Sequence, residues 1–248
     1  MMRSAALLCA VSLVPAVAGS ALDNDSIKTA VALWLSDSAA AEAAYGHIST
    51  WDTSGVTDMN RLFCGSSNGY SGADCNSAAS SFNEDIGAWD TSGVTDMELM
   101  FYWAKAFNQD VGDWAVHTVV NMRGMFAQAS AFNQDLSGWA VQSVTDMVSM
   151  FDGASAFNQD LGWCVDDGVD HYNQWGSAFK NTLCKPTYCG VTRKNKFDEC
   201  EAIVVVDDDD DDDDDDYDDD DCDFLGACNA ATTRSAALAA LVLGAALA

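Results

Sequence analysis

The chain is poor in three things, and each absence narrows what it can do. Lys and Arg together number 11 of 248 residues, spread thinly, with no basic stripe to neutralise phosphates. That composition argues against nucleic-acid binding. Histidine occurs three times, as His47, His117 and His171, with no nucleophile at a recognisable spacing. No P-loop, dinucleotide fingerprint or H-E-x-x-H is present, so no catalytic residues and no cofactor-binding residues are named and the expectation is a non-enzyme. Long hydrophobic runs are also missing. The longest candidate, Ala236–Ala248, has 13 residues, too few to cross about 30 Å of hydrocarbon as a helix.

Acid is abundant. The formal net charge is −28, but fifteen of the acids lie in Asp207–Asp216, Asp218–Asp221 and Asp223, leaving about −13 for the rest. A block of like charge cannot collapse, and 207–223 is expected to be disordered. It reads either as a loose Ca²⁺ or mineral binder, since carboxylates are hard oxygen ligands, or as a solvated spacer kept extended by self-repulsion. Residues 1–18 read as a secretory signal peptide, with Arg3, an apolar stretch Ala5–Val17 and an A-x-A site at Ala16–Ala18. Cys9 leaves with it, unless it is the lipidated cysteine of a bacterial lipoprotein. Residues 224–248 resemble a GPI-attachment signal, small residues followed by an apolar tail. The alternative is an Ala-rich disordered end. Together the ends point to a secreted or cell-surface protein, GPI-anchored in a eukaryote, touching the membrane only through that C-terminal anchor.

What dominates is repetition. FNEDIGAWDTSGVTDMELMF (Phe82–Phe101), FNQDVGDWAVHTVVNMRGMF (Phe107–Phe126) and FNQDLSGWAVQSVTDMVSMF (Phe132–Phe151) share one skeleton. Trp89, Trp114 and Trp139 stand 25 residues apart, with Trp163 following after 24. A fixed period of this length implies a solenoid whose units bury their apolar faces only against neighbours. Residues 48–163 are taken as its body, beginning with a partial copy from Ile48. Met97, Met100, Phe101 and Ala104 recur at i, i+3, i+4, i+7 in three copies, which predicts a short helix in each, with a capping box from Thr95 to Glu98 in one. The stretches Ile86–Trp89, Val111–Trp114 and Leu136–Trp139 are expected as short parallel strands about 4.8 Å apart. Ahead of the body, residues 19–47 predict a helical cap: Ile27, Val31, Trp34 and Leu35 share a helix face to about Ser36, and a second helix covers Ala39–Tyr45. Asn24-Asp25-Ser26 is also a glycosylation sequon.

Eight cysteines remain without Cys9, an even number that argues for disulfides in an oxidising compartment. An insertion of 13 extra residues lies within residues 64–80, expected to be closed by Cys64–Cys75; it is a place for specific recognition or a tolerated loop. Residues 164–206 are expected as a disulfide-held C-terminal cap of unassigned connectivity, and a zinc site from Cys184, Cys189 and Cys200 lacks both tight spacing and a nearby His.

The pattern FNQD-x-x-x-W-x-x-x-x-V-x-x-M-x-x-M-F resembles that of the BspA-type leucine-rich-repeat surface proteins of mycoplasmas and microbial eukaryotes, over Ile48–Cys164. The resemblance implies an α/β, leucine-rich-repeat-like solenoid of ~25-residue repeats at a cell surface, with adhesion or protein-binding roles. It carries no catalytic residues. The expected function is a binding or adhesion scaffold for an extracellular protein or glycan. The alternative is an acidic, cation-binding or wall-associated structural protein working through its tail. Ser92, His117 and Gln142 occupy one variable, outward position and are the partner-contact candidates. The column Asp85, Asp110, Asp135, Asp160 could line up carboxylates for Ca²⁺. The competing reading is that these Asp, and the parallel Asn83, Asn108, Asn133 and Asn158, accept backbone N–H bonds at their own turns.

Overall fold

A computed structural model describes residues 21–65, 75–165, 178–184, 189–194 and 199–202, all within the first of the chain's two units, Met1–Val204. The signal-peptide, Asp-rich and C-terminal-tail segments lie outside these residues, as do His171, Cys222 and Cys228 and most of the inserted loop.

Two helices open the structure, α1 (Asn24–Ser36) and α2 (Ser38–Tyr45). Asp23 caps α1, accepting from the Ser26 N–H, while Ser26 Oγ accepts in return from the Asp23 N–H. Asp37 caps α2, accepting from the Ala40 N–H. Ile27, Ala30, Val31 and Trp34 of α1 are buried against the first repeat. The sequon residue Asn24 is part of that docking: its side-chain oxygen accepts from the N–H groups of Thr57 (2.8 Å) and Asp58 (3.1 Å), and its Nδ2 donates to Thr57 Oγ1.

The repeats follow as a stack of rungs. Phe63, Phe101, Phe126, Phe151 and Phe179 form one column with ring centroids 5.5 Å apart at each step. Phe82, Phe107, Phe132 and Phe157 form a second at 5.9–6.0 Å. The two columns touch at 3.9–4.3 Å. The methionines and tryptophans of the motif fill the rest of the interior, all buried. Each such large side chain contributes roughly 1.5–3 kcal/mol on burial, set against the entropy of ordering the chain. Each indole also fastens two rungs: the Nε1 of Trp89, Trp114, Trp139 and Trp163 donates to the carbonyl of Ile48, Ile86, Val111 and Leu136 in the rung before, at 2.9–3.2 Å.

The elements inside a rung differ from those the periodicity predicts. Met97–Ala104 and its copies are not helices but chains of tight turns. Met100, Tyr102 and Ala104 donate three residues back, whereas the intervening Leu99, Phe101 and Trp103 donate forward to Arg123, Met125 and Ala127 of the next rung. Such alternation requires left-handed residues, found at Arg61, Leu99, Trp103, Gln128 and Ser149 and at Gly124 and Gly153. A non-glycine residue there costs on the order of 1 kcal/mol, offset by an N–H that bonds to a neighbour and so ties rung to rung. The i, i+3, i+4, i+7 stripe is buried as expected, but the turns, not a helix, produce it. The capping box is absent for the same reason: the Glu98 N–H donates to Asp96 Oδ1, and Thr95 Oγ1 donates to the Thr57 carbonyl.

Ile86–Trp89 and its copies are likewise turns, each Trp N–H donating to the carbonyl three residues earlier. Two side chains three apart that both point inward suit a turn and not an alternating strand. Parallel pairing occurs elsewhere, as single bridges linking Asp58, Asp96, Asn121 and Asp146 down the stack.

The stack does not stop at Trp163. Phe151 and Gly153 donate to the carbonyls of Ala178 and Lys180, and Phe179 takes the next place in the phenylalanine column. Three short strands close this end: β1 (Cys164–Val165) lies parallel to β2 (Thr192–Lys194), which pairs antiparallel with β3 (Cys200–Ala202). Disulfides join Cys164 to Cys200, Cys184 to Cys189, and Cys64 to Cys75 across the insertion. The first two account for the cysteines weighed as zinc ligands.

Candidate functional site: the turn face of the stack

The turn chains give the stack one side whose outward residues change from rung to rung. Going down it, Asn60, Glu98, Arg123 and Val148 share one position, and Arg61, Leu99, Gly124 and Ser149 the next. Leu99 packs over Gly124, and the Gln128 side chain lies over Gly153 (φ 75°), where an added Cβ would meet it. At the edge of this side stand Tyr102 and Trp103, both half-buried, with ring centroids 6.4 Å apart. The exposed Lys105 ammonium lies 4.5 Å from the Trp103 ring centroid. Trp103 has φ 59°, at the position where later rungs carry Gln128 and Gly153. A bulky aromatic in the left-handed region is an outlier, and such residues cluster at binding sites.

Polar links run beside these residues. Lys28 pairs with Asp58 at 2.9 Å, Arg61 with Glu98 at 3.4 Å and Arg123 with Asp146 at 3.8 Å. Asn121 Nδ2 donates to both Asp96 and Glu98. The Lys28 and Arg123 pairs are largely solvent-exposed and individually weak, while Arg61 and Glu98 are part-buried.

The sequence candidates fall on other parts of the surface. Ser92, His117 and Gln142 are exposed and occupy successive rungs. The Ser92 hydroxyl is committed to its own turn, donating to Asp90 Oδ1 at 2.6 Å, and the His117 carbonyl accepts from Ser143 Oγ at 2.7 Å. His47 caps a 3-10 turn, its Nδ1 accepting from the Ser49 N–H, and its ring meets Trp34 edge-on at 5.2 Å.

The column Asp85, Asp110, Asp135 and Asp160 is exposed but not assembled into a cation site. Asp85, Asp110 and Asp135 each accept from the N–H two residues on, at 2.9–3.0 Å. Among the described residues no three His, Cys, Asp or Glu side chains converge as metal ligands. Hydrogen bonds from Ser137 hold the Asp135 carboxyl below the ordinary range. The asparagine column works differently from the expectation, since its bonds cross between rungs: Asn108, Asn133 and Asn158 donate their N–H to Asn83, Asn108 and Asn133 Oδ1 at 2.8–2.9 Å. Gln109, Gln134 and Gln159 add side-chain donations to the same asparagines.

Tyr102, Trp103 and Lys105 were not singled out by the periodic reading. The signal lay in the breach of the repeat, YWAK standing where later copies have AQAS and DGAS.

Residues 71–183 match the model of a family described as Mycoplasma protein of unknown function, DUF285. That span takes in the three full rungs and the start of the C-terminal segment. No curated protein and no solved structure matches the chain.

Proposed function

We propose that the rungs form a leucine-rich-repeat-like solenoid acting as a non-catalytic binding scaffold for an extracellular protein or glycan, secreted or held at a cell surface. The observation that carries this is the contrast between inside and outside. The interior repeats one set of Phe, Trp and Met columns, while the turn face varies in charge and size and presents Tyr102, Trp103 and Lys105. Half-buried Trp and Tyr beside a cation are what partner surfaces use as anchors. The resemblance to BspA-type surface repeats supports this reading; the description of the matched family assigns no function. Function is thereby moved from Ser92, His117 and Gln142 to the turn face.

The test is direct. The full secreted chain is labelled and assayed on intact cells and on a glycan array, beside Trp103→Gln, which installs the residue of the next rung. Loss of about tenfold or more in affinity, as for an interface anchor, with Ser92→Ala unchanged, is the expected result. Binding indifferent to Trp103 would remove the turn face from the proposal. The rival reading, cation handling by Asp207–Asp223, is separated by deleting that run: partner binding survives under the first reading and Ca²⁺ uptake vanishes under the second.

A further inference from the structure

The chain's one N-x-S/T sequence, Asn24-Asp25-Ser26, falls on the seam between the N-terminal cap and the stack. Asn24 is half-buried at the start of α1, and its side-chain amide is committed to the first rung. Oδ1 accepts from the N–H groups of Thr57 and Asp58 at 2.8 and 3.1 Å, and Nδ2 donates to Thr57 Oγ1 at 3.0 Å. Contacts on either side hold the same seam: the Leu22 N–H donates to the Asp52 carbonyl at 2.7 Å, and Lys28 pairs with Asp58 at 2.9 Å. Thr57 is itself fixed to the next rung, its carbonyl accepting from both the N–H and the Oγ1 of Thr95.

The distances identify which of the two Nδ2 hydrogens is used. Thr57 Oγ1 lies 3.5 Å from Oδ1 as well as 3.0 Å from Nδ2. An acceptor facing the hydrogen trans to Oδ1 would stand about 5 Å from that oxygen, so Thr57 receives the hydrogen cis to it. An N-linked sugar takes this same place. Glycosylated asparagine is a secondary amide, and the trans form that such amides prefer puts the sugar on the Oδ1 side, away from Cβ. With a C–N bond of about 1.45 Å, the anomeric carbon would come within roughly 1.5 Å of Thr57 Oγ1. Two escapes fail. A cis amide swings the sugar away but is disfavoured by the same preference. Turning the amide over sets Nδ2 against the N–H groups of Thr57 and Asp58, donor against donors.

We infer that Asn24 is a glycosylation site whose occupancy sets the state of the N-terminal cap: a sugar on Nδ2 and a docked α1 exclude each other. In the transfer, the bond from the anomeric carbon to the pyrophosphate of an activated sugar breaks, the bond from that carbon to Nδ2 forms, Nδ2 releases one proton and the pyrophosphate leaves. Transfer therefore precedes docking, and the glycosylated chain keeps the first turn of α1 off the rung. The Leu22–Asp52 and Lys28–Asp58 contacts open with it. Because terminal caps are what keep a repeat stack soluble, the modification decides whether this end is closed. The inference does not rest on the partner-binding proposal, and each can fail without the other.

The test compares two chains beginning at Gly19, identical except for one N-acetylglucosamine on Asn24. Both are made by joining a synthetic segment, residues 19–63, to the recombinant remainder by native ligation at Cys64, followed by oxidation. Hydrogen exchange is followed by NMR at the Thr57 and Asp58 amides, which donate to Asn24 Oδ1. Exchange at both should be about tenfold or more faster in the sugar-bearing chain. The Met122 and Phe126 amides, bonded between later rungs, should be unchanged, which shows that the stack has folded. Thr57→Ala in the same segment removes the obstructing hydroxyl, so there the sugar should speed exchange at Asp58 by less than about threefold. Equal exchange in the two parent chains overturns the inference. So does a loss of protection that spreads through the stack, or one that Thr57→Ala leaves undiminished.

Discussion

Replacing Trp114 by Phe tests whether the indole is a fastener between rungs or merely filler. Trp114 is 3% exposed and its Nε1 donates to the Ile86 carbonyl at 3.2 Å. That carbonyl also accepts the Trp89 N–H, so it keeps one bond in the variant and loses the one that crosses rungs. Loss of a buried bond of this kind costs about 1 kcal/mol. The smaller ring leaves a void of roughly 40 Å³, worth on the order of 1 kcal/mol, and loses a similar transfer contribution. The total is about 2–3 kcal/mol. Urea unfolding with disulfides intact, followed by circular dichroism, should show a midpoint lowered by roughly 1–1.5 M at an m-value near 2 kcal/mol/M. The control is Trp103→Phe, half-buried at the surface, which should stay within about 0.5 kcal/mol of the parent. A Trp114→Phe protein as stable as its parent, or a control equally damaged, would refute the fastening argument.

The three disulfides should rank by the chain they close. Separations of 36, 11 and 5 residues for Cys164–Cys200, Cys64–Cys75 and Cys184–Cys189 correspond to about 4, 3 and 2 kcal/mol in the chain-entropy account; paired Cys→Ser variants compared by urea unfolding check the order, and a reversed order contradicts it. Acid should loosen the turns: hydrogen bonds from Ser26 lower the Asp23 carboxyl, and those from Ser54, Ser92 and Ser137 lower Asp52, Asp90 and Asp135. Since the folded values lie below the unfolded ones, this stabilisation is complete above about pH 4 and is lost as pH falls through the lowered values. Thermal melts from neutral pH into acid should therefore fall less steeply in Ser92→Ala, whose Asp90 has lost its strongest hydrogen bond, and an identical profile would count against the link.

The sequence exposed the interior more readily than the backbone that builds it. Phe101, Phe107, Trp114 and Met122 could be placed inside from spacing alone, because every copy places an apolar residue there and burial is the pressure that spacing records. α1 was legible for the same reason, with Ile27, Val31 and Trp34 on one face. The turns at Met97–Ala104 were misread as helix because burial at i, i+3, i+4 and i+7 fits both; what distinguishes them is where the N–H of Leu99 or Trp103 goes, and no side chain records that. Gly124 and Gly153 hinted at left-handed backbone, but Leu99, Gln128 and Ser149 at equivalent places masked the hint. The asparagine column was noticed but assigned to local turns, since a bond from Asn108 to Asn83 exists only once the rungs are stacked. Ser92, His117 and Gln142 drew attention by varying within a regular motif, whereas Trp103 varied more and lay just beyond the motif's last phenylalanine.

The forward-pointing bonds of the turn chains have an electrical consequence. The peptide units joining Glu98 to Leu99, Met100 to Phe101 and Tyr102 to Trp103 each accept from behind and donate ahead, so their dipoles add along the stack as they do along a helix. The carbonyl end faces α1 and is the negative pole; the amide end faces Ala178 and Lys180 and is the positive one. Lys28 and Arg61 therefore sit at the pole that favours cations. Splicing in another 25-residue copy would lengthen the columns while leaving the charge at either pole unchanged, so the array can grow or shrink by whole rungs without altering what its two ends attract.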